Sequence, residues 1–202
     1  MAIISHSKRF VFIHVYKTGG TSIRHYLSRY VDDLTTVQDE HGSWLDFVVC
    51  CEQAGRRDWL RYYSFSVVRH PYDWLSSLYR YIQTQPEHPD HMAVKNLTGD
   101  EFVLWLVEQS VSDPRQVGCV FYGTQSEMVL CKRRKLDKIM VFNKEMQLPH
   151  KLARRIKAKE RDLPHVNKGE REPGEIFFTA KGIAVINKWW KDDFKNFGFK
   201  TQ

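Results

Sequence analysis

The sequence predicts a three-layer α/β fold, a central parallel sheet flanked by helices on both faces. Three observations carry that expectation. Short strand-like runs, largely apolar and rich in Val, Ile and Phe, recur at 10–15, 63–68 and 139–142, and strands covered on both faces read as largely apolar runs. Stretches of helical periodicity stand between them, and strands alternating with helices build parallel sheets. The first two runs each pass through a short turn straight into a helix pattern.

Phe10-Val11-Phe12-Ile13-His14-Val15 reads as a buried strand, with His14 as part of the core. Lys17-Thr18-Gly19-Gly20-Thr21-Ser22 is a glycine turn. Ile23, Tyr26, Leu27 and Tyr30 then fall at i, i+3, i+4 and i+7, the stripe of an amphipathic helix. A second short strand is expected at 34–38 and a helix at 44–52. The strand 63–68 leads to Pro71, which suits the first turn of a helix, and Leu75, Leu78, Tyr79 and Ile82 give that helix its apolar face. Residues 83–95 read as a loop. Thr98 and Glu101 form a capping box ahead of a helix that packs through Phe102, Trp105 and Leu106. Residues 113–123 read as irregular, 145–160 as a basic helix and 163–174 as a loop. Thr179 caps one last helix with Ile183, Ile186, Trp190 and Phe194 inward. No repeat or linker interrupts the pattern, so residues 1–202 are expected to form a single domain.

Of the 202 residues, 42% are hydrophobic, enough for a core, and 27% are charged, ordinary for a soluble protein. No apolar run approaches the ~20 residues a membrane span needs. Lys8 and Arg9 interrupt an opening too short and polar to be a secretion signal. A cytoplasmic protein with no membrane partner is expected. Cys50, Cys51, Cys119 and Cys131 make no CxxC pair and are expected as buried free thiols rather than metal ligands. The net charge of +7 attracts anions such as nucleotides and acidic glycans. No recognition helix, zinc finger or RNA-binding aromatic motif accompanies it, so nucleic acid is not an expected partner.

Two constellations carry chemistry. The first is the glycine turn between strand and helix. There, backbone N–H groups converge, the helix dipole adds positive potential, and glycine admits an anion closely. Lys17 adds a full charge, and Thr18, Thr21 and Ser22 add hydroxyls. The site is P-loop-like without being a Walker A loop, in which lysine follows the glycines and Ser or Thr holds Mg²⁺. Here Lys17 precedes Gly19 and Gly20, so it approaches from the strand end and no metal is required. The second is Ser66-Val67-Val68-Arg69-His70-Pro71-Tyr72-Asp73, a strand that ends in arginine and opens a helix. Ligands bind beyond the carboxyl ends of parallel strands, so Arg69, with Ser77 further along the helix, suits a second phosphate.

Together these stretches resemble the sulfotransferases that use 3′-phosphoadenosine-5′-phosphosulfate (PAPS), above all the Golgi-type carbohydrate O-sulfotransferases and their bacterial relatives. Residues 12–22 resemble that family's 5′-phosphosulfate loop. Val67-Val68-Arg69-His70-Pro71-Tyr72 through Ser77 and Tyr79 resembles its 3′-phosphate motif. Leu163-Pro164-His165-Val166-Asn167-Lys168-Gly169 and Asp193-Phe194-Lys195-Asn196-Phe197-Gly198-Phe199 are weaker matches. Tyr16 departs from the family's usual proline, His70 from its Asn or Asp, and Trp74 from its basic residue. A membrane anchor like that of the Golgi relatives is not expected, and a soluble, bacterial-type member is.

The resemblance implies a P-loop-like fold and in-line sulfuryl transfer to an acceptor hydroxyl, on a glycan or a small molecule, with release of adenosine 3′,5′-bisphosphate (PAP). It implies that Lys17 stabilises the bridging oxygen, that Thr18, Gly19, Gly20, Thr21 and Ser22 cradle the 5′-phosphate, and that Arg69 and Ser77 hold the 3′-phosphate. Lys168 and Gly169 would close over it. His41 is the candidate base, by its ordinary pKa near 6.5 and its place after the second strand; Glu40 is the neighbouring alternative. Two rival classes stay open: a P-loop-type nucleotide kinase, which would need Mg²⁺ and ATP, and a non-catalytic PAP- or anion-binding protein.

Overall fold

The computed structural model describes residues 1–37, 43–112, 123–132, 134–143, 146–163 and 177–202. The chain forms two compact units, 1–68 with 127–168 and 69–126 with 169–202. Among the described residues the helices are, in chain order, α1 Gly20–Leu27, α2 Trp44–Gln53, α3 Pro71–Thr84, α4 His91–Val94, α5 Gly99–Ser112, α6 Gln125–Val129, α7 His150–Ile156, α8 Ala180–Trp189 and α9 Lys191–Phe197.

The first unit contains the sheet. Strands β1 Ala2–Ser5, β2 Phe10–Ile13, β3 Thr35–Val37, β4 Tyr63–Val68 and β5 Lys138–Val141 lie in the order β3-β1-β2-β4-β5. β2, β4 and β5 run parallel, as expected. β1 is antiparallel to both β2 and β3, so the sheet is mixed rather than parallel throughout. The reason is local: β1 and β2 are joined by a turn too short for any crossover, and such a turn permits only an antiparallel pair. Asp33 anchors that turn, accepting from the Ser5 hydroxyl at 2.6 Å, the Ser7 N–H at 2.7 Å and the Ser7 hydroxyl at 2.9 Å.

Side chains alternate across the strands and divide the core into two layers. Ile3, Phe10, Phe12, Phe65 and Val67 meet Ile23, Tyr26 and Leu27 of α1 and Leu152 and Ile156 of α7. Ala2, Ile4, Val11 and Ile13 meet Trp44, Phe47, Val48 and Cys51 of α2 on the other face. Each such large side chain contributes roughly 1.5–3 kcal/mol on full burial. The expected three layers are therefore present. Trp44 is part of this packing: its indole N–H donates to the Arg134 carbonyl at 2.6 Å and its ring stacks on Phe47.

The second unit is helical. α5 packs on α8 and α3, and Tyr79 meets Phe102 and Phe177 with ring centres 5.2 and 5.8 Å apart. The expected capping box is formed: Glu101 N–H donates to Thr98 Oγ1 at 3.3 Å and Thr98 N–H to Glu101 Oε2 at 2.7 Å. Asp100 ties α8 to this cap, accepting from the N–H of Thr179 at 2.9 Å and from its hydroxyl.

Four local expectations are corrected. Residues 83–95 are not all loop, since α3 runs to Thr84 and α4 follows. The basic helix is confined to α7, because Pro149 precedes it and Lys157 ends it at φ 56. The last helix is two, α8 and α9, broken at Trp190. The acids Asp192 and Asp193 in the first turn of α9 favour a fresh helix start there. Cys50 is exposed, while Cys51 and Cys131 are buried as expected.

Candidate functional site

The glycine turn lies at the carboxyl end of β2. Thr18 is fully buried, and its hydroxyl donates to the Val15 carbonyl at 2.8 Å. That bond closes the turn from within and commits the Thr18 hydroxyl to the main chain. Lys17 has φ 60 and Gly19 φ 82. A non-glycine residue in the left-handed region costs roughly 1–2 kcal/mol, and such strain gathers where a backbone is shaped for a ligand.

Gly19 is the N-cap of α1 and has no side chain to cap with, and no acid stands in the first turn. The first ladder bond runs from the Ile23 N–H to the Gly19 carbonyl at 3.1 Å. The N–H groups ahead of it have no acceptor within the helix, which makes this an anion-seeking helix start. Two aromatic rings pack closely against it. A β-carbon on Gly20 would lie 1.9 Å from the His14 ring, and one on Gly19 2.7 Å from the Phe142 ring. His14 itself stacks on Phe12. Burial lowers its pKa from 6.5 to about 4, with the positive charge of Arg24 adding to the effect. The imidazole is therefore neutral at physiological pH; His14 packs as expected, but from one residue beyond β2, which ends at Ile13 and not at Val15.

Arg69 follows β4 by one residue. Its N–H donates to Gln125 Oε1 at 2.8 Å, and its carbonyl accepts from Gln125 Nε2 at 2.7 Å. His70 is the N-cap of α3, with Pro71 at the first helical position. The His70 ring lies among Tyr72, Phe194 and Phe199, and its Nε2 is 3.1 Å from the Lys200 carbonyl. Ser77 is half-buried on α3. Its neighbour Ser76 is buried and spends its hydroxyl on the Tyr72 carbonyl at 2.7 Å.

The sequence model of the sulfotransferase family matches residues 1–200. The chain belongs to the sulfotransferase family. No curated protein and no solved structure matches it.

A transferase chemistry follows from that membership, and the fold agrees with it. In this sulfotransferase Val37 and Ile13 both pair with Ala2. β3 therefore ends in the same row as β2, at the carboxyl edge of the sheet. The candidate base His41, its alternative Glu40, and Lys168 and Gly169 lie outside the described residues. Sequence reading missed Gln125, which stands in no motif; its signal is its partners, Arg69 and Asp193, both in stretches already singled out. Among the described residues no helix is long and apolar enough to cross a membrane.

Proposed function

We propose that this sulfotransferase takes PAPS as donor and transfers its sulfuryl group to a hydroxyl-bearing acceptor, with anionic glycans favoured by the net charge of +7. The observation that carries the reading is the turn at 17–20. It is a glycine turn with two positive-φ residues, closely packed by the His14 and Phe142 rings, and its lysine stands before the glycines instead of after them. The N–H groups of Thr18, Gly19 and Gly20, and the N–H and hydroxyl groups of Thr21 and Ser22, hold the 5′-phosphosulfate. Lys17 faces the oxygen that bridges sulfur and phosphorus. Arg69 and Ser77 take the 3′-phosphate, and Lys168 and Gly169 cover it.

The acceptor oxygen attacks sulfur as the bond from sulfur to the bridging oxygen breaks. Negative charge grows on the departing phosphate, and Lys17 stabilises it there, where a positioned charge counts most. The acceptor proton passes to His41, whose ordinary pKa suits it as a base near neutral pH. PAP leaves with the electron pair of the broken bond. The protein's part is positioning and charge stabilisation.

Calorimetric titration with PAP, ADP and AMP, each with and without Mg²⁺, tests the donor site. Tight, metal-independent binding that is selective for PAP supports the reading. A preference for ADP with Mg²⁺ would turn it toward a kinase. Selective PAP binding with no sulfuryl transfer to any of a panel of hydroxyl acceptors would leave a PAP-binding protein.

A further inference from the structure

We propose that Gln125 and Asp193 are positioning residues for Arg69: the amide of Gln125 fixes the Arg69 main chain, Asp193 fixes Gln125, and the guanidinium is thereby presented to the donor's 3′-phosphate in one orientation. The inference rests on the donor site proposed above and adds two residues to it.

Arg69 stands one position beyond the last ladder partner of β4, which is Val68. The Gln125 amide takes the place of a neighbouring strand there. It accepts from the Arg69 N–H at 2.8 Å and donates to the Arg69 carbonyl at 2.7 Å. One side chain thus holds both polar groups of one peptide residue, and the direction in which Arg69 leaves the main chain is set.

A glutamine has three rotatable bonds and needs holding itself. Asp193 supplies that. Its Oδ2 accepts from the Gln125 N–H at 3.0 Å and lies 3.4 Å from Gln125 Nε2, while its Oδ1 accepts from the Ser126 N–H at 2.7 Å. Asp193 is fully buried. Burial raises its pKa, and the bonds from Ser126 and Gln125 pull in the opposite direction. Burying a carboxylate costs several kcal/mol before its bonds compensate, so stability alone does not account for an acid here. The flanking residues extend the clamp. Asn196 Nδ2 donates to the Ser126 hydroxyl at 3.1 Å, and Phe194 meets the ring of His70, the residue after Arg69. The stretch 193–199, otherwise without a task in the donor site, holds Arg69 through Gln125 on one side and through His70 on the other.

The test is calorimetric affinity for PAP and for AMP, which lacks the 3′-phosphate, in the wild type, Arg69→Ala, Gln125→Met, Asp193→Asn and the Arg69→Ala/Gln125→Met double variant. Arg69→Ala is expected to cut the preference for PAP over AMP by a factor on the order of 10–100, the worth of a charge-assisted contact. Gln125→Met is expected to cut it about tenfold, as a displaced positioning contact does, with AMP affinity unchanged. In the Arg69→Ala background it should change nothing, because coupled residues are not additive. Asp193→Asn should shift the preference in the same direction by less. The inference is overturned if Gln125→Met keeps the wild-type preference, weakens PAP and AMP equally, or acts undiminished without the Arg69 side chain. A wild type with no PAP preference, or one that Arg69→Ala leaves intact, removes the donor reading itself, and the inference with it.

Discussion

The imidazole of His14 occupies the place that a β-carbon on Gly20 would need, 1.9 Å from both Cδ2 and Nε2. The first residue after β2 and the first residue of α1 thus meet face to face, and the turn between them is held at both ends. Gly20→Ala is expected to destabilise the fold by roughly 1–3 kcal/mol, the usual penalty for overpacking a filled site. His14→Ala makes room, so the double variant His14→Ala/Gly20→Ala should fall short of the sum of the two single losses. Urea denaturation of the three variants measures this, and strict additivity would contradict the contact.

The same histidine makes stability depend on pH. Folded, it takes its proton only at about pH 4, whereas the unfolded chain takes it near 6.5. As pH falls, the unfolded state binds the proton first. The contribution of neutral His14 is therefore whole above pH 6.5, drains between 6.5 and 4, and is gone below. The full drop is up to about 3 kcal/mol. Denaturation at pH 7.5 and 4.5 should show a larger loss in the wild type than in His14→Gln; equal losses would refute the assignment.

Gly182 gives a prediction whose sign runs against helix propensity. Glycine to alanine inside a helix ordinarily gains about 1 kcal/mol. At this position the new β-carbon would lie 2.1 Å from Asp100 Oδ1, and Asp100 is held by its bonds to Thr179. Gly182→Ala should lower the melting temperature, and a rise would show that α8 and α5 can part without loss.

On the mechanism proposed above, Lys17 and Arg69 should separate kinetically. Lys17→Ala removes charge stabilisation needed most as the bridging bond breaks, so kcat is expected to fall by a factor on the order of 100–1,000. Arg69→Ala removes an interaction made equally before and during transfer, so KM for PAPS should rise while kcat changes little. Steady-state kinetics with PAPS varied decides this, and the reverse pattern would exchange their roles.

The parallel strands, both core layers and the Thr98 capping box were legible because period and cap chemistry are local signals. β4 was read to the residue, since Tyr63–Val68 is apolar or small throughout and bounded by a helix-starting proline. β1 was not foreseen: four residues at the start of a chain carry no period, and its antiparallel course comes from a turn whose anchor, Asp33, is distant in sequence. The break at Trp190 was hidden because the inward stripe runs across it unbroken. Within the site, Lys17 and Gly19 announce themselves through glycine spacing. Gln125 does not, because what makes it notable is two hydrogen bonds to one residue far back in the chain.

The mixed sheet also sets an order of assembly. β1 and β2 meet across a turn that closes almost at once, so this hairpin is available early in folding. The pairing of β2 with β4 joins Phe10 to Tyr63 and must wait for α1, β3 and α2 to be drawn together, and contacts so distant in sequence are slow to form. The cradle at 17–20 is finished later still, because the Phe142 ring against Gly19 arrives only with β5. A nascent chain stalled before residue 138 would hold the hairpin and much of the core, yet present the glycine turn without the ring that packs against it.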